Sequence, residues 1–257
     1  MKAQITIPET WNEVKLSDYL EYYKRVKPYL SSEDEDILNN AAIDAALTQI
    51  CKVDFDTLKS LDASSAIEIK TEVAKLLAQS TKVPLVKTFT LELDGETIEY
   101  GFEPNLDEMS YGCYLDLAEA GKDVWNNIWA FLATLYRPVT TKSRDRYRIA
   151  EYEGTDFSII PYLKNSLTAD IALGSVFFFM NLQRELLTDT LNYSRKTLMK
   201  KRGLLSRILG NHSQVSTEDL AASLHLLETT LQKSMALPDY QSTYASLLSS
   251  IKKNEAK

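Results

Sequence analysis

Apolar residues recur at helical spacing through most of the chain, and a clear stripe comes first. Leu16, Tyr19, Leu20, Tyr23, Val26 and Leu30 share one face, which predicts a helix over 16–30 ending near Pro28–Ser31. "SSEDED" then reads as a helix start, with a serine N-cap and carboxylates in the first turn, where they suit free N–H groups and the helix dipole. That helix carries Ile37, Leu38, Ala41, Ala45 and Leu47 to about Cys51. A short helix near 55–61 and a longer one at 63–79, with Ile67, Val73, Ala74 and Leu77 inward, complete a helical first part. The acidic run is expected to be a solvated cap rather than a metal site, because neighbouring residues on a helix point apart.

The period drops to two in "TFTLELDGETIEYGF" (88–102). Asp94-Gly95 is the favoured two-residue turn of a hairpin, since both positions need positive φ. That turn sets Leu91 opposite Ile98 and Phe89 opposite Tyr100, leaving Thr90, Glu92, Thr97 and Glu99 on the other face. A lone hairpin is marginal in water, so its apolar face is expected to lie on helices. "NLDEMSYGCYLDLAEAG" follows as a helix with Gly121 as its C-cap. Residues 123–136 are apolar nearly all round, which predicts a central helix stopped by Pro138. Pro138 also biases Arg137 toward an extended backbone. "SRDRYRIAEYEGTDF" alternates weakly and reads as an extended segment, with Tyr147, Ile149 and Glu151 on one side. From Thr168 a long helical pattern runs to about Arg202, and two amphipathic helices follow Gly203. The expected fold class is therefore mainly α (α+β): helices with one β-hairpin packed on them. Two parts are expected, residues 1–165 with the hairpin at 86–102, and a helical region over 166–257.

Composition narrows the function more than the fold. Residues 1–102 hold 11 Lys+Arg against 18 Asp+Glu, and the remainder is balanced at 18 against 18. An acidic front half disfavours general nucleic-acid binding, because it repels phosphates. The start, "MKAQITIPETW", lacks the apolar core of a signal peptide, and "IALGSVFFFM" is about half the length of a membrane span. A cytoplasmic location, in whichever cell makes the protein, is expected, and a membrane partner is disfavoured. Cys51 and Cys113 lie far apart in helical patterns and read as buried small hydrophobes of a reducing compartment.

Candidate chemistry is sparse. His212 and His225 are the only histidines, and neither has a companion at metal-ligand or catalytic spacing. Phosphate loops, nucleophile elbows and zincin motifs do not occur. No catalytic residue, metal or cofactor is expected, although a carboxylate pair assembled in space stays open. Binding is better represented. "RKTLMKKRGLLSR" (195–207) carries Arg195, Lys196, Lys200, Lys201, Arg202 and Arg207 without an acid, interleaved with Leu198, Met199, Leu204 and Leu205. Such a segment either complements its own helix dipole or docks an acidic partner, with a membrane surface or nucleic acid as weaker readings. Fourteen tyrosines, among them Tyr19, Tyr22 and Tyr23, suit either core packing or an interface.

Taken together, "WNEVKLSDYLEYYK", the hairpin followed by "NLDEMSYGCYLDLAE", "IWAFLATLYRPVT", "YRIAEYEGTDF" and "ALGSVFFFMNLQRELL" resemble small proteins of tailed bacteriophages. Those proteins are encoded among virion and tail genes and are described as tail-assembly-chaperone-like; the resemblance spans roughly residues 10–190. It implies a non-enzymatic assembly or structural role, with another virion or tail protein as partner and self-association open. It supplies no catalytic residue. It implies that Arg137, beside Tyr136 and Pro138, belongs to a scaffold's helix end, bonding free carbonyls or a neighbouring acid. A small phage-encoded adaptor acting on a host protein or membrane surface is the alternative.

Overall fold

The computed structural model describes residues 5–182, apart from residues 33 and 145, together with residues 193 and 196. It divides into two units, and among the described residues the first runs to Phe177 and the second begins at Phe178. The described residues of the second unit, 178–182, 193 and 196, are helical.

In the first unit, α1 (Leu16–Val26), α2 (Glu35–Gln49), α3 (Phe55–Ser60) and α4 (Ala63–Gln79) precede the strands. α1 packs on α2, and α2 on α4. Of the stripe predicted for α1, Leu16, Tyr19, Tyr23 and Val26 are buried together with Tyr22, whereas Leu20 is half-buried and Leu30 lies beyond the helix end at Val26. Trp11 closes edge-on against Tyr19, with ring centroids 5.5 Å apart, and its indole N–H donates to the Leu76 carbonyl at 3.1 Å. Three tyrosines that were candidates for an interface are thus core residues.

Local details depart from the sequence reading for identifiable reasons. Asp34, not a serine, caps α2, accepting from the N–H groups of Asp36 and Ile37. Ile37 lies outside the arc of α2 formed by Leu38, Ala42, Ala45 and Ala46 and is exposed. Ile67 is exposed because α4 buries residues only from Val73 onward.

The hairpin forms as predicted. β1 (Thr88–Leu93) and β2 (Glu96–Phe102) pair antiparallel, with Phe89 opposite Tyr100 and Leu91 opposite Ile98. Asp94 and Gly95 adopt φ of 52° and 89°. Gly95→Val is therefore expected to cost about 1–2 kcal/mol, because a Cβ is penalised at positive φ, and β-branching adds to it. A thermal melt checks this, and an unchanged midpoint would place the turn's constraint elsewhere.

This hairpin is half of a larger element. β3 (Tyr136–Ser143) and β4 (Arg146–Ile149) extend it to a four-stranded antiparallel sheet in the order β1-β2-β3-β4. The segment after Pro138, expected to be only weakly extended, is a second hairpin. Pro138 occupies an interior strand beside a register shift between Val139 and Thr141, where a missing donor is tolerated. Its carbonyl still accepts from Ala150 N–H at 2.8 Å.

α5 (Tyr111–Gly121) and α6 (Ile128–Leu135) separate the two hairpins. Ser110 caps α5, and Gly121 is its last helical residue rather than a left-handed cap. The central helix starts at Ile128, later than the apolar pattern predicts. The preceding turn carries Trp125 to α1, where its ring centroid lies 5.0 Å from that of Tyr19 and 5.6 Å from that of Tyr23. α6 passes into β3 without a loop: the Tyr136 N–H closes on Leu132 O while its backbone is already extended.

α7 (Ile160–Ser166) and a further helix, α8 (from residue 169), complete the unit. Leu16 N–H donates to Leu167 O at 2.9 Å and Ala169 N–H to Val14 O at 2.8 Å, tying the start of α1 to the α7–α8 junction. The apolar sheet face is anchored by Tyr136. Its ring lies 4.9 Å from Phe89 and 5.3 Å from Phe102, and its hydroxyl donates to Val86 O at 2.6 Å.

Candidate functional site

Arg137 stands at the start of β3, where Pro138 holds it extended and strand pairing sets it opposite Gly101. Its guanidinium pairs with the carboxylate of Glu103, which follows β2 directly. Both side chains are nearly enclosed, at 12% and 10% exposure. Glu103 is fixed through its own N–H, which donates to Leu135 O at 2.9 Å. Arg137 also lies over the ring of Tyr152, 5.5 Å from its centroid, while its Nε is buried without a hydrogen-bond partner. The arginine at the helix end therefore bonds a neighbouring acid.

Tyr152 links this pair to α5. Its hydroxyl bonds the carboxylate of Asp116 and lies 3.1 Å from Thr155 Oγ1. Burial, then the Asp116 carboxylate, raise the phenol above its ordinary range and keep it protonated. Thr155 continues the chain of contacts to Thr134 Oγ1 at 2.8 Å, which in turn donates to Ala130 O at 2.9 Å. Cys113 points from α5 into the same region, with its thiol 3.9 Å from Thr134 O. The cluster fixes one face of α5 against α6 and the segment after β4. Its chemistry is that of a held charge pair and neutral hydroxyls.

The two cysteines carry a pH prediction. Burial pushes the thiols of Cys51 and Cys113 up to about 11 from an ordinary 9.0. Unfolded thiols therefore ionise first, so stability present below pH 9 is expected to fall as pH rises toward 11. Burial raises the Tyr136 phenol as well, which steepens the loss. Urea unfolding across that window checks this; stability that stays level would mean solvated thiols. Cys113→Ala should remove part of the slope.

The opposite face of α5 is the main exposed feature nearby. Cys113, Leu117 and Ala120 face inward, yet Tyr111, Tyr114 and Leu115 are exposed at 74%, 58% and 46%. Exposed Ala118 extends that stripe by one turn. The Tyr111 and Tyr114 rings stack with centroids 6.5 Å apart. Asp107 and Glu108, in the 3₁₀ turn before α5, are exposed as well.

Of the basic residues singled out in the sequence, Lys196 is exposed and helical. Arg195, Lys200, Lys201, Arg202 and Arg207 lie outside the described residues, as do His212 and His225. Among the described residues, no group of three or more His, Cys, Asp and Glu side chains is placed to hold a metal ion, and no helix is long and apolar enough to cross a membrane. Sequence reading placed "YGCYLDLAEAG" on a helix but missed its two-sided apolar character. The signal was present, since Tyr111, Tyr114, Leu115 and Ala118 fall at i, i+3, i+4 and i+7, opposite Cys113, Leu117 and Ala120. Compared with family models, curated proteins and solved structures, this chain matches none of them.

Proposed function

We propose that this protein is a non-enzymatic binding factor of tailed-bacteriophage assembly, acting through protein–protein contact on a virion or tail protein. The observation that carries the binding role is the exposed apolar stripe of α5. A helix with one buried face ordinarily presents polar residues on the other, whereas α5 presents two stacked tyrosines and a leucine. Tyrosine suits a protein interface because it brings a large apolar body and a hydrogen-bonding tip at little entropic cost. The rigid setting supports the same reading: Tyr152 and Asp116 fix α5, so the stripe is presented in one orientation. The phage setting rests on the sequence resemblance alone.

Mass spectrometry of purified particles, alongside crosslinked assembly intermediates from infected cells, tests this reading. A virion or tail protein is expected in a fixed ratio with the chain. Recovery with host proteins only would overturn the assembly role in favour of an adaptor.

A further inference from the structure

The α5 stripe has an electrostatic setting that narrows its partner. Residues 103–121 contain five acids, Glu103, Asp107, Glu108, Asp116 and Glu119, and no lysine or arginine. Three are engaged: Glu103 by Arg137, Asp116 by Tyr152 and Glu119 by Lys122. Asp107 and Glu108 are exposed and form no ion pair among the described residues. An aromatic stripe beside uncompensated carboxylates fits a cationic segment with apolar residues between its charges. Lysine and arginine stems can lie along tyrosine rings while their charged ends reach the carboxylates.

The chain itself contains a segment of that chemistry. Residues 195–207 carry six bases, no acid, and Leu198, Met199, Leu204 and Leu205. We propose that the stripe of α5 is a docking surface for residues 195–207 of a second copy of this chain. The proposal rests on the protein-binding reading above and names the partner for that face. Donor and acceptor are different segments of the chain, so the contact is head-to-tail, and each copy brings one of each to further copies. Such an arrangement closes into a ring or grows along a line.

Sedimentation velocity on the full chain tests this with two variants and their mixture. The acceptor variant is Tyr111→Ser with Leu115→Gln; the donor variant is Lys200→Gln with Lys201→Gln. Wild type is expected to self-associate, with its dissociation constant rising at least about tenfold between about 50 and 500 mM salt as screening grows. Each variant alone should associate at least about tenfold more weakly. An equimolar mixture should form a 1:1 heterodimer that grows no further, because only one intact donor–acceptor contact remains. A monomeric wild type overturns the proposal, as does a donor variant that associates like wild type, which would mean that two α5 faces meet each other. Failure of two variants with wild-type circular dichroism and melting to combine also overturns it. If the acceptor variant does not fold, Asp107→Lys with Glu108→Lys replaces it, and pairing with a Lys200→Glu, Lys201→Glu chain is then the expected result. Monomeric chain that still binds a virion protein would sink self-association while leaving the assembly role standing.

Discussion

Glu103→Ala is expected to lower the unfolding free energy by about 3–5 kcal/mol, the range for removing one partner from an enclosed ion pair. The cost arises from what remains. Arg137 would keep its charge at 12% exposure, with the Tyr152 ring as a weak partner and an Nε that already lacks one. Arg137→Met should cost a similar amount, because it keeps the side-chain volume but leaves the Glu103 carboxylate unpaired at 10% exposure. Combining Arg137→Met with Glu103→Leu should return most of the lost stability, since a well-packed apolar pair can equal a buried salt bridge. Urea unfolding of wild type, Glu103→Leu, Arg137→Met and the double variant closes the cycle and isolates the coupling. A further readout links the pair to α5. Tyr152 stacks on Arg137 and bonds Asp116, so loss of Glu103 should speed amide exchange in 111–121 more than in α1. A Glu103→Ala protein within about 1 kcal/mol of wild type would show that water satisfies the pair, placing it in the range of surface bridges.

Which parts of this arrangement could be read in advance follows from how far apart the interacting residues lie. The β1–β2 hairpin was legible because its turn and its alternation are adjacent in sequence and agree with each other. β3 was not, because its first residue ends an apolar run that looks helical through Leu135, and Pro138 ordinarily argues against an interior strand. Its partner turn also lacks glycine, with Arg144 taking a φ of 50°. Periodicity located the helices but did not decide which turns would be covered, so Ile37 and Ile67 were assigned inward and stand exposed. The basic nature of residue 137 and the helix end beside it were visible; Glu103, its partner, was not, since only strand pairing between β2 and β3 brings them together. The exposed stripe of α5 could have been found. Its spacing is regular, and what obscured it was the assumption that an apolar helical position is a buried one.

Gly174→Ala is expected to destabilise the protein by about 2 kcal/mol, against the usual direction for a glycine within a helix. Alanine in place of glycine normally gains up to about 1 kcal/mol through helix propensity. At Gly174 an added Cβ would lie 2.4 Å from the carbonyl oxygen of Pro84, 3.0 Å from its carbonyl carbon and 3.2 Å from the Leu85 Cα. All three are backbone atoms, so no side chain can rotate away, and either α8 or the strap before β1 must shift. Overpacking of this kind costs about 1–3 kcal/mol. The shift would also be felt at the sheet, because the next residue, Ser175, holds the Tyr136 hydroxyl at 2.9 Å while that hydroxyl bonds Val86 O. Gly121 provides the contrasting case within the same fold. It ends α5 without a positive φ, and nothing lies within 4 Å of its added Cβ. Gly121→Ala is therefore expected to leave stability unchanged or raise it by up to about 1 kcal/mol. Melting temperatures of the two variants should move apart, Gly174→Ala downward and Gly121→Ala level or upward. Equal upward shifts would mean that α8 does not seat on the backbone of Pro84 and Leu85.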